Sequence, residues 1–174
     1  MKKAIFLMMI CAGFALTSCE KEEIGGTATE NIAGDWYVTC DAVDENGDVV
    51  PGLEDPLDLG RFHILTYNTA ANTDDQLYVD DLGEFWEFKV KTTSDAKNMT
   101  FATNGAVANE AYEDCDVTIT GGKILPKAGR QNNGSPADSI VFYVSFSDDP
   151  FPAAYGYTNY KVSGIRYSGL VEND

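Results

Sequence analysis

The sequence predicts an all-β protein folded as a single closed antiparallel barrel of about eight strands. Apolar and polar residues alternate with a period of two in several segments, as they do in half-buried strands. No long segment shows the 3.6-residue periodicity of an amphipathic helix. Turn dipeptides such as Asn46-Gly47 separate the alternating segments. A β-sandwich is the alternative, because short, evenly spaced strands suit both architectures.

The predicted strands begin after residue 32. In the first, Trp36, Val38, Cys40 and Ala42 share one face, and the Asn46-Gly47 turn follows. Residues 51–60, rich in proline, glycine and acids, are predicted to form a loop. The remaining predicted strands cover 62–67, 77–79, 86–90, 99–103, 115–120, 123–125, 140–146 and 160–166. The Gly121-Gly122 pair is predicted as a turn, 127–136 as a loop, and 150–157 as an aromatic loop broken by prolines.

The first 19 residues indicate a lipoprotein. Lys2 and Lys3 precede an apolar run over 4–16, which is too short to anchor stably across a bilayer, and small residues lead to Cys19. We expect a signal peptide over 1–18, acylation of Cys19, a lipidated tether over 19–31 and a barrel domain over 32–174. An ordinary signal peptide is the alternative. The expected location is the outer membrane, and the acidic stretch 21–23 after the cysteine favours its outer face.

The charge of the chain limits its partners. Removal of Lys2 and Lys3 with the signal leaves 10 basic residues against 28 acids, a formal charge of −18. Such a surface repels phosphate backbones and anionic headgroups, so we expect no nucleic-acid partner and no flat membrane contact. The excess acid is interpreted as a means of solubility.

The sequence predicts no metal site and no cofactor. No Cys-x-x-Cys spacing occurs, and His63 is the only histidine. The acidic stretch 44–48 does not match a calcium-binding EF-hand loop and is interpreted as a hairpin turn. Once Cys11 leaves with the signal and Cys19 carries lipid, Cys40 and Cys115 remain, either as one disulfide or as two buried thiols.

Three residues at the two ends of the chain suggest how the barrel closes. Gly34 and Trp36 open the first strand, and Arg166 lies near the end of the last. This pattern resembles that of lipocalins, in which the arginine lies across the tryptophan and seals one end. Together with the run Tyr160–Gly169, it is similar to a Bacteroidetes family described as lipid-binding putative hydrolases, over about residues 30–172. The resemblance implies a lipocalin-like barrel and an apolar ligand such as a lipid.

The residues themselves do not indicate a hydrolase mechanism. There is no Gly-x-Ser-x-Gly motif, and His63 lies between Phe62 and Ile64 as an ordinary strand residue would. Acid pairs such as Asp148-Asp149 are expected by chance among 28 acids. We therefore predict no catalytic residue, and a hydrolase of unidentified mechanism stays an alternative.

A barrel of this size can hold one small apolar ligand or be filled by its own side chains. The oligomeric state is left open. A surface module that binds glycans or proteins for a nutrient-uptake system is the second hypothesis, with Trp86, Phe151, Tyr155 or Tyr157 as its platform. The candidate ligand-lining residues of the first hypothesis are Trp86, Phe88, Phe142, Val144, Tyr160, Phe151 and Tyr155.

Overall fold

The computed structural model describes residues 26–173, which form ten strands and very little helix. The strands are β1 (Gly34–Val43), β2 (Val49–Glu54), β3 (Phe62–Asn68), β4 (Gln76–Asp80), β5 (Lys89–Asp95), β6 (Thr100–Ala102), β7 (Val107–Ala108), β8 (Asp116–Arg130), β9 (Pro136–Phe146) and β10 (Asn159–Arg166). The helices are α1 (Phe151–Tyr155) and a 3-10 helix (Val171–Asn173). Within 26–173, no helix has the length and apolar character needed to cross a membrane.

Eight of the strands close into an antiparallel barrel in the order β10-β9-β8-β6-β5-β4-β3-β1, since β1 also pairs with β10. β2 pairs with the second half of β1, and the short β7 pairs with β8. Closure leaves no free edges on the eight-stranded ring. The predicted lipocalin-like barrel is confirmed over the sandwich alternative.

The core fills the inside of this barrel, and strand alternation decides which residues enter it. In β1, Trp36, Val38, Cys40 and Ala42 are buried, and their neighbours Tyr37 and Thr39 point outward. In β9 and β10, Phe142, Val144, Tyr160 and Val162 are fully buried by the same rule. Side chains therefore occupy the interior in this structure.

The barrel has a closed end and an open end. Trp36 pairs with Arg166 at the closed end, and Val43 pairs with Asn159 at the open end. The segments 26–33 and 167–173 lie at the closed end. The open end carries the loops between β1 and β2, β2 and β3, β4 and β5, and β9 and β10, together with residues 109–115.

Five local predictions were wrong in whole or in part. Trp86 and Phe88 precede β5 in a loop over 81–88, because Asp81 binds the backbone N–H groups that a strand would use. β8 runs through Gly121-Gly122 as a bulge instead of turning, and it extends to Arg130, so the loop there is only 131–135. A Cβ at Gly122 would collide with the Phe101 carbonyl, so this glycine permits close strand approach. Part of the predicted loop 51–60 pairs with β1 as β2, and part of the aromatic loop forms α1.

Cys40 and Cys115 are buried free thiols in this structure, so of the two alternatives it shows the unpaired one. Burial raises the pKa of the Cys40 thiol, which keeps it protonated and unreactive.

At the N-terminal side, Thr29 is fully buried, so packing on the barrel begins before residue 32. Cys19, Cys11 and the predicted signal peptide lie outside the described residues.

Candidate ligand-binding site at the open end of the barrel

The closed end is sealed by the residues from which closure was predicted. The guanidinium carbon of Arg166 lies 4.3 Å from the centroid of the Trp36 ring, within cation–π range. Arg166 also donates to the Ala33 carbonyl at 2.8 Å and lies 3.5 Å from a carboxylate oxygen of Asp138. Gly34 leaves room for this arrangement, because a Cβ there would collide with the guanidinium and the arginine would have to shift.

Buried hydrogen bonds fix the tryptophan in this position. The Trp36 indole N–H donates to the Thr66 hydroxyl at 2.8 Å, and that hydroxyl donates to the Ile32 carbonyl at 2.6 Å. Ile32 is itself fully buried. A ligand that enters the barrel must therefore do so from the other end.

At the open end, the ring of Phe85 plugs the mouth of the barrel. Phe85 lies in the β4–β5 loop and remains half-buried. Its ring centroid lies between 5.3 and 6.4 Å from those of five other aromatic rings. These rings belong to Phe62, Trp86, Phe88, Phe146 and Tyr160. Edge-to-face and tilted contacts of this kind stabilise the closed mouth.

The side chain of Asp81 organises the loop over 81–88, which we call the plug loop because it carries Phe85. It is fully buried, and its two oxygens accept hydrogen bonds from the N–H groups of Gly83, Phe85, Trp86 and Phe88 at 2.7–3.2 Å. Burial raises the pKa of Asp81, and the four N–H donors oppose that shift. This one carboxylate thus accepts from four backbone N–H groups of the loop.

A second carboxylate clamps the plug loop from outside. The Trp86 indole N–H donates to Asp148 at 3.1 Å, and the Tyr112 hydroxyl donates to the same carboxylate at 2.7 Å. Burial alone would raise the pKa of Asp148, but these hydrogen bonds outweigh it and lower the pKa. The ring of Trp86 stacks on Phe146 at 4.9 Å and 10°.

Beside the plug, a pocket of about 220 Å³ opens at the rim. It lies between the end of β2 with its following loop and the segment that contains α1. Its lining is mainly apolar: Leu53, Pro56, Leu57, Phe151, Tyr155 and Tyr157. The pocket is smaller than the roughly 300–1,000 Å³ typical of drug-sized ligands. In this state it has room for part of an apolar ligand.

Aromatic contacts connect the rim pocket to the plug. The ring of Tyr157, which lines the pocket, lies 5.2 Å from that of Tyr160, and Tyr160 contacts Phe85. The two phenol oxygens are 2.6 Å apart, and the Tyr160 hydroxyl donates to Asp149 at 2.8 Å. Burial raises the pKa of Tyr160, so its hydroxyl remains a proton donor. Aromatic side chains therefore run without a break from the rim pocket to Phe85.

The predicted ligand-lining residues fall into three groups. Phe151 and Tyr155 line the rim pocket, Trp86 belongs to the plug loop, and Phe88 and Tyr160 lie directly beneath the plug. Two others lie among the buried interior side chains: Phe142, which contacts Phe101, and Val144. Sequence reasoning missed Phe85, Leu53 and Leu57. The turn signal Leu82-Gly83 ahead of Phe85 could have placed it in a loop.

The rings suggested as a flat glycan platform do not share a plane. Trp86 and Phe151 are perpendicular at 90°, and Phe151 and Tyr155 are inclined by 50°. Tyr157 is only 5% exposed. The arrangement favours a pocket over a platform.

His63 lies on the outer wall of the barrel, away from this pocket. Its Nδ1 is 2.8 Å from a carboxylate oxygen of Asp35, and its ring packs between Tyr37 and Tyr167. In residues 26–173, the structure shows no serine or cysteine hydrogen-bonded to His63.

Comparison with known proteins links this geometry to one family. A family model described as lipid-binding putative hydrolase matches residues 21–171, which covers most of the chain. No curated protein matches the chain.

Proposed function

The chain belongs to the lipid-binding putative hydrolase family, and on that premise we propose that it is a lipoprotein that binds a small apolar ligand at the open end of its barrel. The rim pocket receives the ligand, and the interior becomes accessible when Phe85 moves aside. The observation that carries the proposal is the continuous apolar path from the rim pocket through Tyr157 and Tyr160 to the plug.

The charge of the open end narrows the class of ligand. Its loops are dense in carboxylates, and the basic side chains in the loop segments there are few. A carboxylate headgroup at the rim would be repelled at short range. We therefore expect an uncharged lipid or another neutral apolar molecule. The acidic residues of these loops are Asp44, Glu45, Asp48, Asp55, Asp58, Asp81, Glu84, Glu87, Glu110, Glu113, Asp114, Asp148 and Asp149.

Two further parts of the proposal concern location and chemistry. Acylation of Cys19 would anchor the barrel to the outer membrane through the tether, and the segment 21–23 supports display on the cell surface. Binding is better supported than hydrolysis, because His63 and Asp35 lie on the outer wall and not at the pocket.

The test is titration of the protein with N-phenyl-1-naphthylamine, an uncharged apolar probe that fluoresces when it leaves water. We expect saturable binding, weakened about tenfold in Leu57→Asn, because one buried apolar contact is replaced by an unpaired amide. Leu170→Asn is the matched control, since Leu170 is exposed on the C-terminal segment at the closed end. Absence of saturable binding, or equal loss in both variants, would refute the proposed site.

A further inference from the structure

The outer wall of the barrel carries a groove that is distinct from the rim pocket and is lined by two arginines. It has a volume of about 180 Å³ and lies over the outer face of β1 and β10. Its lining comes from four separate segments of the chain. These residues are Tyr37, Val38, Thr39, Arg61, Arg130, Ser163, Gly164 and Ile165.

Arginine is rare in this chain, and two of its residues converge on this groove. The chain contains Arg61, Arg130 and Arg166 as its only arginines, and the third seals the closed end. Arg61 immediately precedes β3, and Arg130 ends β8, so the fold brings together residues 69 positions apart. In residues 26–173, neither arginine lies within ion-pair distance of a carboxylate. Two such cations repel each other when no anion lies between them.

The groove positions both guanidinium groups. The guanidinium carbon of Arg61 lies 5.4 Å from the centroid of the Tyr37 ring, and that ring packs against His63. Arg130 donates to the Gly134 carbonyl at 3.1 Å through one nitrogen, which leaves its other donors free to bind. β1 contributes two carboxylates to its outer face: Asp35 contacts His63, and Asp41 accepts from the Asp55 N–H.

The floor of the groove adds uncharged donors. Thr39 and Ser163 are register partners whose side chains face outward, and no hydrogen bond joins either hydroxyl to another described residue. Guanidinium groups and hydroxyls are donors suited to phosphate and sulfate oxygens, and arginine can bind such groups through two parallel hydrogen bonds.

From this convergence we propose that the groove is an oxyanion site that takes a phosphate group, either free in solution or as the headgroup of a phospholipid. The chain contains 28 acids, so the remaining surface repels anions. Any binding of an anion must therefore arise from the local positive charge of Arg61 and Arg130. The site is independent of the apolar ligand proposed for the open end.

The experiment follows the amide signals of Ser163 and Gly164 by NMR during titration of the protein with inorganic phosphate. In parallel, co-sedimentation compares vesicles of phosphatidylglycerol mixed with phosphatidylcholine against vesicles of phosphatidylcholine alone. Shifts of these amides with phosphate identify a free anion as ligand. Sedimentation with the anionic vesicles alone identifies a headgroup, and either outcome supports the site.

Arg61→Gln and Arg130→Gln are each expected to weaken binding about tenfold, because each removes a charged double donor. Lys127→Gln is the control, since it makes the same change in charge on an exposed residue that does not line the groove. The proposal is overturned by absence of binding to both probes, or by an equal loss in Lys127→Gln.

Discussion

Replacement of Phe85 by alanine tests the plug, because it should weaken the fold and strengthen ligand binding at the same time. Full burial of a phenylalanine is worth about 3–5 kcal/mol against alanine. Since Phe85 is half-buried but contacts five aromatic rings, we expect a loss of about 2–3 kcal/mol in the free energy of unfolding. For a domain of this size that corresponds to a fall of about 5–10 °C in Tm.

The effect on affinity has the opposite sign. On the proposed entry route, an apolar chain reaches the interior of the wild type only after Phe85 leaves its contacts, and that cost would weaken the observed affinity. Without the ring, affinity for N-phenyl-1-naphthylamine should rise about tenfold, which is about 1.4 kcal/mol and only part of the stability lost. Calorimetric melting and fluorescence titration measure the two effects on the same sample.

Phe101→Ala provides the control for general loosening of the core. Phe101 is buried and contacts Phe142, away from the plug. Its removal should lower Tm without raising affinity. If Phe85→Ala melts earlier yet binds the probe no more tightly than the wild type, Phe85 is a simple core residue and the gating argument is wrong.

Three further predictions concern single side chains. Arg166→Ala should lose about 2–4 kcal/mol in urea unfolding, the sum of a charged hydrogen bond and a cation–π contact, whereas the exposed Lys127→Ala should change little. Asp81→Ala leaves four backbone donors without their acceptor, so amide hydrogen exchange over 83–88 should accelerate strongly; unchanged protection would show that the loop is held otherwise. Because the pKa of Asp148 is lowered in the folded state, its clamp on Trp86 is present above about pH 3.8 and is lost as the pH falls through that lowered pKa. The indole N–H resonance of Trp86 should therefore shift only below about pH 3.8, and a transition between pH 5 and 7 would contradict the assignment.

Much of the barrel could be predicted from alternation alone. Residues 36–42 of β1, 140–146 of β9 and 159–162 of β10 alternate between buried and more exposed side chains, because one face of each strand is packed in the core and the other meets solvent. The contact between Trp36 and Arg166 could be anticipated because closure makes the first and last barrel strands neighbours.

The open end could not be predicted in the same way. Trp86 and Phe88 alternate with charged residues, and this pattern is the same as that of a half-buried strand. The hydrogen bonds from their backbone N–H groups to the Asp81 carboxylate, which prevent strand pairing, cannot be recognised from the periodicity of the sequence. The rim pocket combines residues 53–57 with 151–157, and only the closed ring brings them together. Contacts between distant loops depend on the whole topology, so local patterns contain no information about them.

The seam between β1 and β10 also has a consequence for biogenesis. Residues 36–43 of β1 pair with residues 159–166 of β10. That edge of β1 therefore stays unpaired until β10 has been synthesised and has reached the same compartment. Such long-range pairing makes assembly slow and leaves an apolar strand edge exposed to aggregation in the meantime. A truncation that stops before residue 159 would therefore yield an open, aggregation-prone sheet rather than a smaller barrel.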